Sequence, residues 1–183
     1  GDKLRIQRSW EVIPYVIWPI VNERTGVEKS INVPSSCPSC GQWLMRMEWE
    51  VALRCTHTHC PAKLVEQIKH AASKNSLDIE WLGVSLVELL VENQLINKLS
   101  DLFVLQIPEN TMRMHALPGV WEKKIQQILA GIQASKKAPL WRWLHALGIP
   151  WVGKKVSQEL SAYITEHAPT PDFEGLVSVL SNQ

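Results

Sequence analysis

All four cysteines of the 183-residue chain fall in one short stretch. Cys37-Pro38-Ser39-Cys40-Gly41 is answered by Cys55-Thr56-His57-Thr58-His59-Cys60-Pro61, with fourteen residues between Cys40 and Cys55. Two short loops joined by a hairpin bring four thiolates into a tetrahedron, the arrangement that zinc prefers. Gly41 supplies the backbone freedom that a Cys-x-x-Cys turn needs. Two other arrangements use the same residues: a pair of disulfides, or a site of two cysteines with His57 and His59. The four-thiolate site at Cys37, Cys40, Cys55 and Cys60 is the simplest reading of the spacing. Clustered cysteines without a secretion signal favour metal over disulfides. Four protein ligands close the coordination shell, so the zinc is expected to be structural and not catalytic.

The composition permits real cores and excludes little else. Apolar residues make up 45% of the chain, and no apolar run approaches the ~18 residues of a membrane span. There is no signal-peptide pattern at the start, and the chain opens at Gly1, which reads as a piece of a longer product. Nineteen basic residues nearly balance eighteen acidic ones, but the distribution is uneven. Lys123, Lys124, Lys136, Lys137, Arg142, Lys154 and Lys155 lie between Trp121 and Lys155, against the single acid Glu122. A local basic face of this kind suits phosphate.

Along the chain, residues 3–21 read as β-strand, rich in Ile and Val, with Pro14 and Pro19 confining the second half to an edge or an interruption. Between the cysteine pairs, Trp43, Met45, Met47, Trp49, Val51 and Leu53 alternate with Arg46, Glu48, Glu50 and Arg54. That period of two predicts a half-buried hairpin with the methionines and tryptophans packed inward. After Pro61 the period becomes helical. Helices are expected from Pro61 to about Lys74, around Leu86–Leu95, over Leu99–Leu105, around Ile125–Ile132, around Leu140–Leu147, over Val156–Ile164 and over Phe173–Leu180. On the next-to-last of these, Val156, Leu160, Tyr163 and Ile164 are the expected apolar face. His70 reads as a half-buried helical histidine.

The turns between these helices repeat. Leu77-Asp78-Ile79-Glu80-Trp81-Leu82-Gly83, Leu117-Pro118-Gly119-Val120-Trp121 and Leu147-Gly148-Ile149-Pro150-Trp151-Val152-Gly153 each run straight into another helix. The second and third are followed by Lys123-Lys124 and Lys154-Lys155. This is helix–hairpin–helix logic. Glycine admits a DNA phosphate to the backbone, and the free N–H groups at the start of the next helix hold the anion. Such contacts position a protein on DNA without reading sequence. The expected DNA-binding residues are Gly83, Gly119, Lys123, Lys124, Gly148, Val152, Gly153, Lys154 and Lys155, with the third hairpin contributing most and the first least.

Taken together, the strand pair ending in Val12-Ile13-Pro14, the Cys-Pro-x-Cys-Gly and Leu-Arg-Cys-Thr…Cys-Pro-Ala stretches, Asp78-Ile79-Glu80, Ala134-Ser135-Lys136-Lys137…Pro139-Leu140 and Ala146-Leu147-Gly148-Ile149…Val152-Gly153 resemble the C-terminal half of bacterial NAD-dependent DNA ligases. The resemblance covers nearly the whole chain. It implies a mainly α fold with a small β part: the last strands of an OB-fold over 1–34, a four-cysteine zinc finger over 35–62 and a helix–hairpin–helix domain over 63–183 with a fourth unit only begun. It implies a cytoplasmic bacterial protein, associated with the nucleoid and not with a membrane, whose partners are nicked double-stranded DNA and an adenylation domain of the same polypeptide. NAD and magnesium belong to that full enzyme. The family's adenylated lysine sits in a Lys-x-Asp-Gly motif that does not occur here, so no catalytic residue is expected in these 183 residues. A stand-alone zinc and helix–hairpin–helix module acting in repair or replication is the alternative.

Where the resemblance implies glycine, this chain shows Trp10, Trp49, Trp81 and Trp121. Nine Trp stand beside nine Gly, whereas glycine is ordinarily about 7% of a chain. Two accounts are open. Either the tryptophans pack or stack on nucleic acid, or a UGA codon that some bacterial lineages read as glycine stands here as tryptophan.

Overall fold

The computed structural model describes residues 1–8, 13–48 and 50–167. Trp10, Val12, Trp49, the prolines at 169 and 171, and the helix expected over Phe173–Leu180 lie outside the described residues. The chain divides into two units, Gly1–Ser36 and Cys37–Gln183.

In the first unit β1 (Leu4–Gln7) pairs antiparallel with β2 (Tyr15–Pro19), Leu4 opposite Pro19 and Gln7 opposite Tyr15, with an irregularity between Arg5 and Ile6. A single turn of 3₁₀ helix follows at Val21–Glu23. Pro19 ends its strand, as a residue without an N–H should. Asp2 accepts two 2.7 Å hydrogen bonds from the Arg24 guanidinium, closing the ribbon's base. Leu4, Ile6, Tyr15 and Val16 are exposed and Ile17 is half-buried, and none of the described residues of this ribbon is fully buried.

In the second unit β3 (Leu44–Arg46) and β4 (Leu53–Cys55) form the small antiparallel hairpin between the cysteine pairs. The face differs from expectation. Trp43, Met45, Met47 and Val51 are exposed, while Leu44, Leu53 and Cys55 are half-buried. Strands of three residues enclose no core, so the face that turns inward is the one carrying a cysteine sulfur.

The helical body is built from α1 (Pro61–Ala72), α2 (Val84–Glu92), a 3₁₀ segment at Leu99–Gln106, α3 (Pro108–His115), α4 (Glu122–Ser135), α5 (Leu140–Ala146) and α6 (Lys154–His167). α1 buries Val65, Ile68, Ala71 and Ala72, and α4 buries Ile125, Ile128 and Ile132. These recur at helical spacing, one apolar stripe on each helix. Together with Leu86, Val87 and Leu90 of α2, Leu102, Leu105 and Met114 they form one core. Each valine, leucine, isoleucine or methionine among them contributes roughly 1.5–3 kcal/mol by leaving water. α4 presses on the first turn so closely that a Cβ at Gly131 would stand 3.3 Å from Ile79 Cγ2. The apolar periodicity does not reveal α3, and the segment expected as a helix at Leu99–Leu105 is 3₁₀. The apolar face expected on α6 is also corrected. Ser157 and Ile164 are buried there, while Val156, Leu160 and Tyr163 are exposed.

Arg142 of α5 donates to the carbonyls of Lys74, at 3.2 Å, and Ser76, at 2.7 Å, just past the end of α1. This basic residue ties α5 to α1 and is not part of a solvent-facing basic row. Arg142→Ala should lower stability by about 1–3 kcal/mol, because two carbonyls lose a charged donor. Both bonds leave Nη1, and Arg142→Lys should restore only part of the loss, because an ammonium on the shorter lysine stem does not reach where the guanidinium Nη1 stands. Urea unfolding reads this as a lower midpoint at unchanged slope.

Candidate metal centre and helix turns

The knuckle is shaped by its backbone first. Gly41 N–H donates to the Cys37 carbonyl at 2.8 Å and Cys37 N–H donates to the Gln42 carbonyl at 2.7 Å. The chain folds back at Gly41, whose φ of 72° is a left-handed angle that glycine adopts without strain. The hairpin then sets Leu44 opposite Cys55. Cys60 is the N-cap of α1, with Pro61 in the first helical position, where the ring's fixed φ suits a helix start.

These elements bring all four sulfurs within 4.8 Å of one another. Cys37 and Cys60 stand at 3.9 Å, Cys40 and Cys55 at 3.5 Å. A disulfide requires ~2.05 Å. A zinc–sulfur distance of ~2.3 Å in a tetrahedron separates its sulfurs by about 3.8 Å. The four cysteines are therefore positioned to bind a metal ion, and no disulfide joins them. His57 and His59 are not in the group. The His57 carbonyl instead accepts from Cys60 N–H at 3.4 Å and from Lys63 Nζ at 3.2 Å.

The thiols are not equivalent. Backbone N–H groups of Cys40 and then Ser39 bring Cys37 down to about 7. At Cys40 a backbone hydrogen bond from Gln42 pulls down, but burial and the surrounding sulfurs push the thiol up to about 12.

The three sequence-derived turns all join two helices. The first connects α1 to α2, the second α3 to α4, the third α5 to α6. Gly83 is the exposed N-cap of α2, with φ −74° and ψ 167°. Gly119 has φ 71°. Lys123 is exposed in the first turn of α4, and Lys124 Nζ lies 5.3 Å over the Trp121 ring. Gly148, at φ 63°, follows the last residues of α5, where a left-handed glycine ends a helix. Val152 is half-buried and its N–H bonds the Ile149 carbonyl at 3.0 Å. Gly153 is exposed. Lys154 opens α6 with its ammonium 5.6 Å over Trp141, and Lys155 reaches Glu159 at 3.9 Å.

Gly83 and Gly153 stand directly before α2 and α6, a helix start at which glycine is well accepted. Neither lies in the left-handed region, and a Cβ built on either would meet nothing within 4 Å.

His70 settles as a structural residue. Its Nε2–H donates to the His145 carbonyl at 2.7 Å, and the two rings meet edge to face at 4.8 Å. Burial, then His70 and Lys154, hold the His145 imidazole below its ordinary range. A groove of about 840 Å³ runs between Cys37, Cys60, Lys63, His70, Trp151 and Gly153, so knuckle and third turn face a common space. Trp81, Gly83, Trp121 and Lys124 line a second cleft of about 530 Å³ between the first two turns. Sequence reasoning took Arg142 for part of a basic face and missed His145 and the backbone of Trp151. Only the last left a trace, in the Pro150-Trp151 pair.

Knuckle and helical body together define a four-cysteine finger followed by paired helices. Residues 36–62 match the family model of the NAD-dependent DNA ligase C4 zinc finger domain. The chain is 40% identical over 161 residues to a DNA ligase of Macrococcus caseolyticus, covering 88% of this chain and 24% of that protein. It is 38% identical over 164 residues to a DNA ligase of Aquifex aeolicus (90% and 22%), and 36% over 181 residues to one of Listeria innocua (98% and 26%). The chain thus spans about a quarter of the length of the relatives it matches. It is homologous over about nine-tenths of its length to the C-terminal region of bacterial DNA ligases. Among the described residues no helix is long and apolar enough to cross a membrane.

Proposed function

We propose that this chain is the DNA-gripping part of an NAD-dependent DNA ligase. Residues 35–62 form a zinc finger in which Cys37, Cys40, Cys55 and Cys60 hold one structural zinc. The β1–β2 ribbon belongs to an OB-fold. The paired helices from residue 63 onward are helix–hairpin–helix units that hold nicked duplex DNA by its backbone. The observation that carries this reading is the pair Gly83 and Gly153. Each is an exposed glycine directly before a helix, with open space where a Cβ would stand, placed where the N–H groups of α2 and α6 begin. A phosphate accounts for both, since it needs close approach and receives those N–H groups. Gly119 serves the second turn, Gly148 shapes the third, and Val152 anchors it. Lys123, Lys124, Lys154 and Lys155 add charge beside the turns.

No step of adenylation is assigned to these residues. NAD and magnesium act at the adenylation domain of the same polypeptide, in the cytoplasm, and what this chain supplies is position. It holds the duplex without reading bases, which suits an enzyme that must act at any nick.

Anisotropy titrations of the chain against nicked duplexes of unrelated sequence test the reading. We expect one affinity for all sequences and a log–log salt slope of about −3 to −5, for a few phosphates at ~0.9 each. Labelled NAD should leave no adenylate on the chain. Affinity that follows base sequence, or that ignores salt, would overturn the backbone-grip reading. An adenylated lysine would overturn the division of labour.

A further inference from the structure

The three turns align residue by residue in sequence. Each reads as an apolar residue, a variable residue, a first slot, an apolar residue, a second slot, and then the next helix. The first slot is Trp81, Gly119 and Trp151 in turn. The second is Gly83, Trp121 and Gly153. Their backbones agree with this alignment. The first slot has φ 70° at Trp81, 71° at Gly119 and 68° at Trp151. In the second and third turns the flanking apolar residues close a four-residue turn, Val120 N–H to the Leu117 carbonyl and Val152 N–H to the Ile149 carbonyl, with proline directly before the slot. Proline followed by a residue of positive φ is the signature of a type II turn, and that second position belongs to glycine. A tryptophan there is a steric outlier. The second slot is extended instead, φ −74° at Gly83 and −106° at Trp121. Any residue adopts those angles, but only glycine keeps the helix N-terminus open.

Across six slots the chain uses only the smallest residue and the largest. No steric requirement accepts both and nothing between. The genetic code does connect them, because UGA is read as tryptophan in some bacterial lineages and as glycine in others. We infer that positions 81, 121 and 151 are glycines of the natural protein, specified by UGA, and that all three turns are equivalent phosphate-docking loops. The second clause rests on the ligase reading above; the first stands on the backbone at 81 and 151 and on the alignment of the turns at 121. Trp143 is the internal control. It lies within α5, half-buried, its ring 5.4 Å from that of Phe103, and is a tryptophan by its packing.

Three readouts test this. The gene should carry UGA at 81, 121 and 151 and UGG at 143; UGG at 81 and 151 would overturn the inference. Trp81→Gly should melt above Trp81→Ala, and Trp151→Gly above Trp151→Ala, by about 2–4 °C, because a Cβ is strained at positive φ. At an ordinary position alanine wins, so the reverse order overturns the glycine slots. The protein with glycine at all three positions should bind nonspecific duplex about tenfold tighter, with a steeper salt slope. Weaker binding would overturn the docking clause and assign the indoles to DNA. If the melting order holds while neither protein binds duplex, the slots stand and the ligase reading fails.

Discussion

Replacing Cys55 with Ala should abolish stoichiometric metal binding and unfold the finger while the helical body keeps its circular dichroism. The core of that body, from Val65 to Ala146, takes no residue from the finger among the described residues. The finger has nothing comparable. Its apolar side chains Trp43, Met45, Met47 and Val51 face solvent, and its strands are three residues long. Binding of a structural zinc is worth roughly 10–16 kcal/mol in isolated finger peptides near pH 7. No other term in residues 37–60 approaches that. Losing one of four ligands should therefore convert the hairpin to an open chain, read as protease cleavage between Met45 and Arg54 and as metal lost in elemental analysis. Acid should do the same. Thiolates release protons when they take the metal, so affinity falls as pH falls. A Cys55→Ala protein that keeps one metal per chain at neutral pH and resists protease would show that the cluster is not what holds the finger.

The second large effect is expected at the third turn. Changing Lys154 and Lys155 together to Glu should weaken nonspecific duplex binding on the order of tens of fold at low salt. It should also reduce the salt slope by about 2, one for each lost phosphate contact. Lys154 opens α6, the residue after Gly153, and both ammonium groups lie at the N-terminal end of that helix. A glutamate pair there is compatible with the helix, since acids suit the positive end of its dipole. The dipole gain offsets the loss of the Lys155–Glu159 contact, and the circular dichroism of the variant separates a lost affinity from a lost fold. Unaltered affinity and slope would remove the third turn from the DNA interface.

Much of the metal centre was legible because cysteine spacing is itself a statement about turn geometry. Cys37-x-x-Cys40-Gly41 leaves few ways to turn, and Gly41 takes the angle its type suggests. The hairpin was legible as a hairpin but not as to face, since a period of two has no inside. Leu44 and Leu53 face in only because Cys55 does. α3 escaped the apolar pattern because Pro108-Glu109-Asn110-Thr111-Met112-Arg113-Met114-His115 buries Met114 alone. Its end signals were present all the same: proline and glutamate in the first turn, arginine and histidine in the last. The face of α6 was misread because Ser157 is small enough to be enclosed, its hydroxyl returning to the Gly153 carbonyl at 3.0 Å. Arg142 looked like one more positive charge in a basic run. Only tertiary structure shows that its partners are main-chain carbonyls more than sixty residues away.

α1 is held at both ends by groups outside it. Its first residue follows a cysteine of the metal cluster, His70 in its last turn leans on the His145 carbonyl, and the chain just beyond it is gripped by Arg142. His145 and Arg142 both belong to α5, the helix that leads into the third turn. Finger and third turn are thus two ends of one strut. Chelating the metal leaves every lysine in place, yet it frees the strut at its anchored end and lets the third turn drift off its bearing. A protein with all its positive charge but no metal should therefore lose grip on DNA through misalignment, and recover it when the ion is restored.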